Sequence, residues 1–281
     1  MVNNMWIFNG LMAAFFSGLT TFFAKISLDK DNSILITGIR TIVITIFTVI
    51  CYLIFKEAST INYNTIIFII LSGISTAVLW IVYFKALSLQ DISLVTPIDK
   101  LSIVVTLILS CIFFNEQITI IKIISMTFII FGTFLMVNKS NKKDNNKWLL
   151  YAFLTAIFTS LSTILGKVGL KSVDVYLATM LRTITVLMII WFIIIYKKEF
   201  KKISKRNLLF ITLSGISTGL SWLFYFKALK EKDASIVFPL EKLSAAVCIL
   251  LSIIFLKEKL DKKRILGFIF ILFGTLVLIK K

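Results

Sequence analysis

One stretch of this chain is present twice. Leu71–Ser102 reads LSGISTAVLWIVYFKALSLQDISLVTPIDKLS, and 142 residues further on Leu213–Ser244 reads LSGISTGLSWLFYFKALKEKDASIVFPLEKLS. Nineteen of the 32 positions are identical. The offset holds outside the stretch as well. Lys25 matches Lys167, Arg40 matches Arg182, Glu116 matches Glu258, and Gly132-Thr133 matches Gly274-Thr275. A chain duplicated in this way folds as two copies of one unit, so the nature of the unit decides the architecture.

The unit is greasy. Hydrophobic residues make up 58% of the chain and charged residues 16%, with a mean hydropathy of +0.97. A soluble domain is nearer half apolar and a quarter charged. Apolar runs of about 20 residues recur, each long enough to cross a ~30 Å hydrocarbon core as a helix. The runs are continuous rather than alternating, which argues against a β-barrel and leaves helices as the spanning form. The expected fold is an all-α integral membrane protein with ten transmembrane helices, over 6–28, 33–55, 65–87, 92–114, 119–137, 148–170, 174–196, 207–229, 234–256 and 262–279. Residues 1–138 and 148–281 form two five-helix units, joined by a basic polar linker over 139–147. The start, MVNNMWIFNG, has no basic region before its apolar run and reads as a retained first span.

Five is an odd number. Two copies of one five-span unit therefore enter the membrane in opposite senses, as inverted repeats. Such repeats characterise secondary transporters, whose substrate site lies near the midplane between the repeats. The basic residues agree. The loops after the first, third, fifth, seventh and ninth spans hold 16 lysines and arginines, and the other side holds 6. The positive-inside rule places the 16 in the cytoplasm and both termini outside, in a multi-pass protein of the plasma (cytoplasmic) membrane. The net charge of +17 thus meets anionic lipid headgroups rather than nucleic acid.

Of the fourteen acids, Asp99 and Glu241 are the two inside spans, and they are repeat-mates. Four pairs of basic residues join them: Lys25/Lys167, Arg40/Arg182, Lys85/Lys227 and Lys100/Lys242. Arg40 and Asp99 both fall roughly 10 Å inside the same face at 1.5 Å rise per residue. One ring of Lys25, Arg40, Lys85, Asp99 and Lys100 is expected, with a second ring of repeat-mates toward the opposite face. A charge at the membrane centre costs at least ~2.5–3.5 kcal/mol and faces a cavity or a partner. The excess of cations favours a substrate with a carboxylate or other anionic group. The competing reading makes Arg40–Asp99 and Arg182–Glu241 structural salt bridges and the lysines interfacial anchors.

Ser72, Thr76, Trp80 and Tyr83 fall on one helical stripe, repeated by Ser214, Thr218, Trp222 and Tyr225. Such a wall can hold an amphipathic metabolite, its rings attracting an ammonium group, or can simply pack. The hydroxyl-rich runs 17–21 and 159–163 serve helix packing first and cavity lining second. Pro97 and Pro239, two residues before each acid, are candidate hinges. Cys51, Cys111 and Cys248 lie in apolar runs and read as core. The chain has no histidine, so no metal site is expected, and proton coupling would run through Asp99, Glu241 or a buried lysine. No catalytic arrangement or cofactor motif is present. Gly166-Lys167 follows Leu161 where a phosphate-binding loop needs glycine.

The segments WIVYFKAL and VTPIDKLS, repeated as WLFYFKAL and VFPLEKLS, with Glu116 and Glu258 following, resemble the drug/metabolite transporter superfamily and its EamA-type carriers. The resemblance covers essentially the whole chain. It implies a ten-span carrier that moves small metabolites, often amino-acid-like and outward, by alternating access. It also implies cytoplasmic termini, opposite to the charge count. A channel or a non-transporting membrane scaffold is the alternative.

Overall fold

The structure, a computed structural model, describes residues 5–27, 33–56, 62–115, 117, 119–136, 147–170, 173–198, 200, 203–241, 243–257 and 261–279. The sequence-predicted Lys242, Glu116, Glu258 and nearly all of the linker lie outside the described residues, as does the Pro239 side chain. The first unit contains α1 (Met5–Ser27), α2 (Ser33–Phe55), α3 (Tyr63–Leu89), α4 (Ile92–Asp99), α5 (Leu101–Phe114) and α6 (Ile120–Met136). The second contains α7 (Lys147–Gly169), α8 (Val175–Lys197), α9 (Lys205–Glu231), α10 (Ala234–Glu241), α11 (Ser244–Leu256) and α12 (Lys262–Ile279). No strand occurs among the described residues. Among the described residues, seven apolar segments are long enough to cross a membrane, with α4 and α5 together making one; shorter apolar helices lie at Ile120–Met136, Ser244–Leu256 and Ile265–Val277.

The span expected over 92–114 is therefore two helices meeting at Lys100. Pro97 offers no backbone N–H, and just after it the ladder tightens. Lys100 N donates to Pro97 O (3.1 Å) as well as Thr96 O, and Ile103 N donates to Lys100 O at 3.0 Å. These are three-residue bonds of the 3₁₀ type. The second unit repeats the pattern, with Leu243 N bonded to Leu240 O and Ala246 N to Leu243 O. The bend in the ladder thus falls beside each acid.

The units interlock. Helix α1 packs on α9, and α7 packs on α3. Ser214 Oγ donates to Thr20 O at 2.9 Å, and its counterpart Ser72 Oγ donates to Ser162 O at 2.8 Å. Repeat-mate helices also touch, and they run antiparallel. Along α2 and α8, Gly38 O accepts from Trp191 Nε1 at 3.1 Å, while Thr48 meets Thr183 at 2.8 Å. Along α6 and α12, Gly132 lies against Gly267 and Ile271, and Gly274 against Ser125 and Ile129.

Polarity is inside out. Ile112, Phe134, Phe192 and Phe255 are exposed on the outer faces, while Ser72, Thr76, Ser102, Thr106 and Ser160 are fully buried. Lipid tails are as apolar as leucine, so helices in a membrane associate through small and hydroxylated residues.

Candidate functional site

A cavity of about 140 Å³ lies between the units, and both line it. Its size is comparable to cavities that admit a benzene-sized molecule. Helix α2 brings Arg40, α8 brings Arg182, and α3 and α9 bring Thr76, Trp80, Tyr83, Thr218, Trp222 and Tyr225. The helix pairs α4/α5 and α10/α11 bring Asp99 with Lys100, and Glu241. Five of the charges expected in two separate rings, Arg40, Asp99 and Lys100 from one and Arg182 and Glu241 from the other, thus meet in one cavity. Among its described lining residues, three cations face two carboxylates.

Neither expected arginine–acid bridge to Asp99 or Glu241 forms among the described residues. Asp99 instead has Lys100 Nζ at 3.5 Å from Oδ2 and accepts from Thr159 Oγ1 at 3.4 Å on Oδ1. The arginines sit on rings. Arg40 Cζ lies 4.0 Å from the Trp80 centroid and 4.3 Å from that of Phe84. Arg182 Cζ lies 4.3 Å from Trp222 and 5.0 Å from Phe226. Trp80 and Trp222 stack on each other. The tryptophan faces expected to attract a ligand's ammonium group are therefore already engaged by the protein's own cations.

Tyr83 Oη is 3.3 Å from Thr21 Oγ1, and Tyr225 Oη donates to Thr163 Oγ1 at 3.4 Å. These matching bonds fix the two phenols at the cavity wall. Lys25 and Lys167 do not join the cavity lining. Lys25 Nζ donates to Leu87 O and Gln90 O, both at 2.7 Å, and Lys167 Nζ donates to Leu229 O and Lys232 O. Each satisfies carbonyls at the end of a neighbouring helix, where cations are favoured. Of the other expected ring members, Lys85 is absent from the lining, and Lys227 faces the Tyr176 ring at 5.1 Å.

The hydroxyls do both jobs foreseen for them. Ser160 packs helices, its Oγ donating to Ser102 O at 2.9 Å, whereas Thr20, Thr21, Thr159, Ser162 and Thr163 line the cavity. Sequence reasoning missed Thr76 and Ser162 as acceptors for Arg182, with bonds of 2.8 to 3.1 Å. Thr76 stands one turn before Trp80 on the same stripe, which is the signal that points there. Cys248, read as core, also lines the cavity.

Apolar helices wrapped around a charged cavity define a multi-pass membrane protein. The model of the EamA-like transporter family matches the chain twice, over residues 4–138 and 146–280. The chain belongs to that family of membrane transporters. It is similar to the "Uncharacterized transporter in cobO 3'region" of Sinorhizobium sp, 39% identical over 137 residues that cover 48% of this chain and 97% of that protein. It is also similar to the "Uncharacterized transporter YxxF" of Bacillus subtilis (strain 168), 27% identical over 72% of this chain and 66% of that protein. A solved crystal structure of a protein with 13% identity aligns at a TM-score of 0.76 and covers 97% of each chain, which shows a shared fold.

Proposed function

We propose that this protein is a secondary carrier of the plasma membrane. It moves small polar or amphipathic, amino-acid-like metabolites outward by alternating access. The observation that carries the reading is the cavity: charged, lying between the two repeats, and built from matching residues of both. Ten spans in two inverted units, over 1–138 and 148–281 with a linker at 139–147, are part of the proposal. The antiparallel packing of α2 on α8 and of α6 on α12 supports the inversion, because an axis along the membrane normal leaves repeat-mates parallel. The half-length Sinorhizobium relative supports duplication of one unit. Alternating access draws support from the arginines, since Arg182 is hydrogen-bonded to two hydroxyls and Arg40, among the described residues, to none. Asp99 and Glu241 act as gating or coupling groups, and Pro97 and Pro239 as hinges. The outward direction rests on the family resemblance.

The test is counterflow. Purified protein is screened for metabolites that raise its melting temperature, and these are loaded into proteoliposomes. Saturable exchange is the expected result. Unsaturable flux makes the protein a channel, and no flux with any stabilising metabolite makes it a scaffold.

A further inference from the structure

The two halves of the site treat their arginines differently. Arg182 donates through Nε and Nη2 to Thr76 Oγ1, and through Nη2 to Ser162 Oγ. The repeat-mates of those acceptors are Thr218 and Thr20. Their hydroxyls lie 3.2 Å from each other. Among the described residues, none of the three guanidinium nitrogens of Arg40 has a hydrogen-bond partner. Arg40 is 1% exposed and lines the cavity.

Trp80 and Phe84 engage the face of the Arg40 guanidinium. Its N–H groups project in the plane, so a face contact leaves that edge unsatisfied. A buried cation without hydrogen bonds is costly. The planar fork matches a carboxylate through two parallel bonds. Three cations against two carboxylates in the described lining leave room for one negative charge. The indole and phenyl rings beside the fork suit an apolar body.

We propose that Arg40 is the receptor for a carboxylate, and that the ligand of this cavity is a small organic monoacid gripped through that group. The proposal deepens the carrier reading and rests on it for passage across the membrane, whereas binding itself is read without transport.

Calorimetric titration of the purified full chain with benzoate and with benzamide tests it. The two probes share ring and size, and only benzoate is charged. Benzoate is expected to bind at least about tenfold more tightly. Arg40→Gln is expected to erase that preference, and Lys25→Met, outside the cavity, to keep it. Equal response to the two probes, or none to either, overturns the proposal. So does a preference that survives Arg40→Gln. Should that variant not fold, phenylglyoxal labelling of the native chain gives the answer: benzoate protects Arg40 more than Arg182, and equal labelling overturns the proposal. Benzoate binding without counterflow of any metabolite sinks the carrier reading alone. Counterflow together with an unchanged preference in Arg40→Gln sinks this one alone.

Discussion

Trp80 and Trp222 stack across the boundary between the two repeats, with ring centroids 5.0 Å apart and 29° between planes. They are repeat-mates, and each also carries an arginine of its own half. Two tryptophans and two arginines thus form one stack through the middle of the molecule. The rings are expected to couple energetically by about 0.5–1.5 kcal/mol. A double-mutant cycle of Trp80→Ala and Trp222→Ala, followed by denaturant titration in detergent, measures this. Additive losses mean that the rings do not meet in the folded protein.

The two threonines at equivalent positions carry unequal loads. Thr76 Oγ1 accepts two bonds from Arg182. Thr218 Oγ1 meets Thr20 and donates to its own helix at Ser214 O. Thr76→Val removes an acceptor from a buried guanidinium and is expected to cost about 1.5–3 kcal/mol. Thr218→Val loses a neutral contact and is expected to cost about 0.5–1.5 kcal/mol. Unfolding of both variants under one condition gives the ranking. Equal losses mean that Arg182 is not held by Thr76 in solution.

Much of this was legible in the sequence because the chain is written twice. Repetition separates positions such as Arg40/Arg182 and Trp80/Trp222 from background, and ten charges set within apolar runs of the sequence demand a reason. What symmetry hides is asymmetry. Nothing in LSGIST distinguishes Thr76 from Thr218, yet one binds an arginine and the other does not. Depth counted along a helix also misled. Lys25 lies near the expected ring in rise, but its long side chain turns to the carbonyls of Leu87 and Gln90, because cations stabilise helix C-termini. The break at Lys100 was half visible: Pro97 announced a defect, and its position three residues downstream emerged only from the backbone bonds.

Lys25 is expected to matter for stability and not for ligand choice. Lys25→Met removes two charge-assisted bonds to the end of α3 and is expected to cost about 1.5–3 kcal/mol. Counterflow per folded molecule, with the competing metabolites ranked as in the native chain, checks the second half. A reordered ranking places Lys25 in the binding path.

Gly132 sits where α6 and α12 cross. A methyl group there would lie 2.5 Å from Gly267 O and 2.9 Å from Ile271 N, both backbone atoms that cannot step aside. Gly132→Ala is expected to cost about 1–3 kcal/mol through forced separation of the helices. Gly166→Ala meets Ser72 Oγ at 3.3 Å and the Phe226 ring at 3.6 Å. A small shift relieves that contact, and alanine gains up to about 1 kcal/mol in helix propensity. The expected outcome is a large drop in unfolding midpoint for the first variant and little change for the second. A tolerated Gly132→Ala means that α6 and α12 do not pack this closely.

Asp99 and Glu241 carry the last prediction. Asp99 is 8% exposed, faces Lys100 at 3.5 Å, and receives a long 3.4 Å bond from Thr159. Asp99→Asn keeps the shape and removes the charge, leaving Lys100 beside a neutral amide. If the carboxylate gates the cavity, counterflow falls by at least about tenfold, the loss expected when a charged hydrogen-bonding group is neutralised, while the yield of folded protein holds. Glu241→Gln is expected to do the same from the other repeat. Thr159→Val is expected to change flux by well under tenfold, because a bond of that length contributes little. Normal transport by both acid variants would show that the pair is structural, and a Thr159→Val defect as deep as that of Asp99→Asn would mean that the hydroxyl and not the charge is the working group.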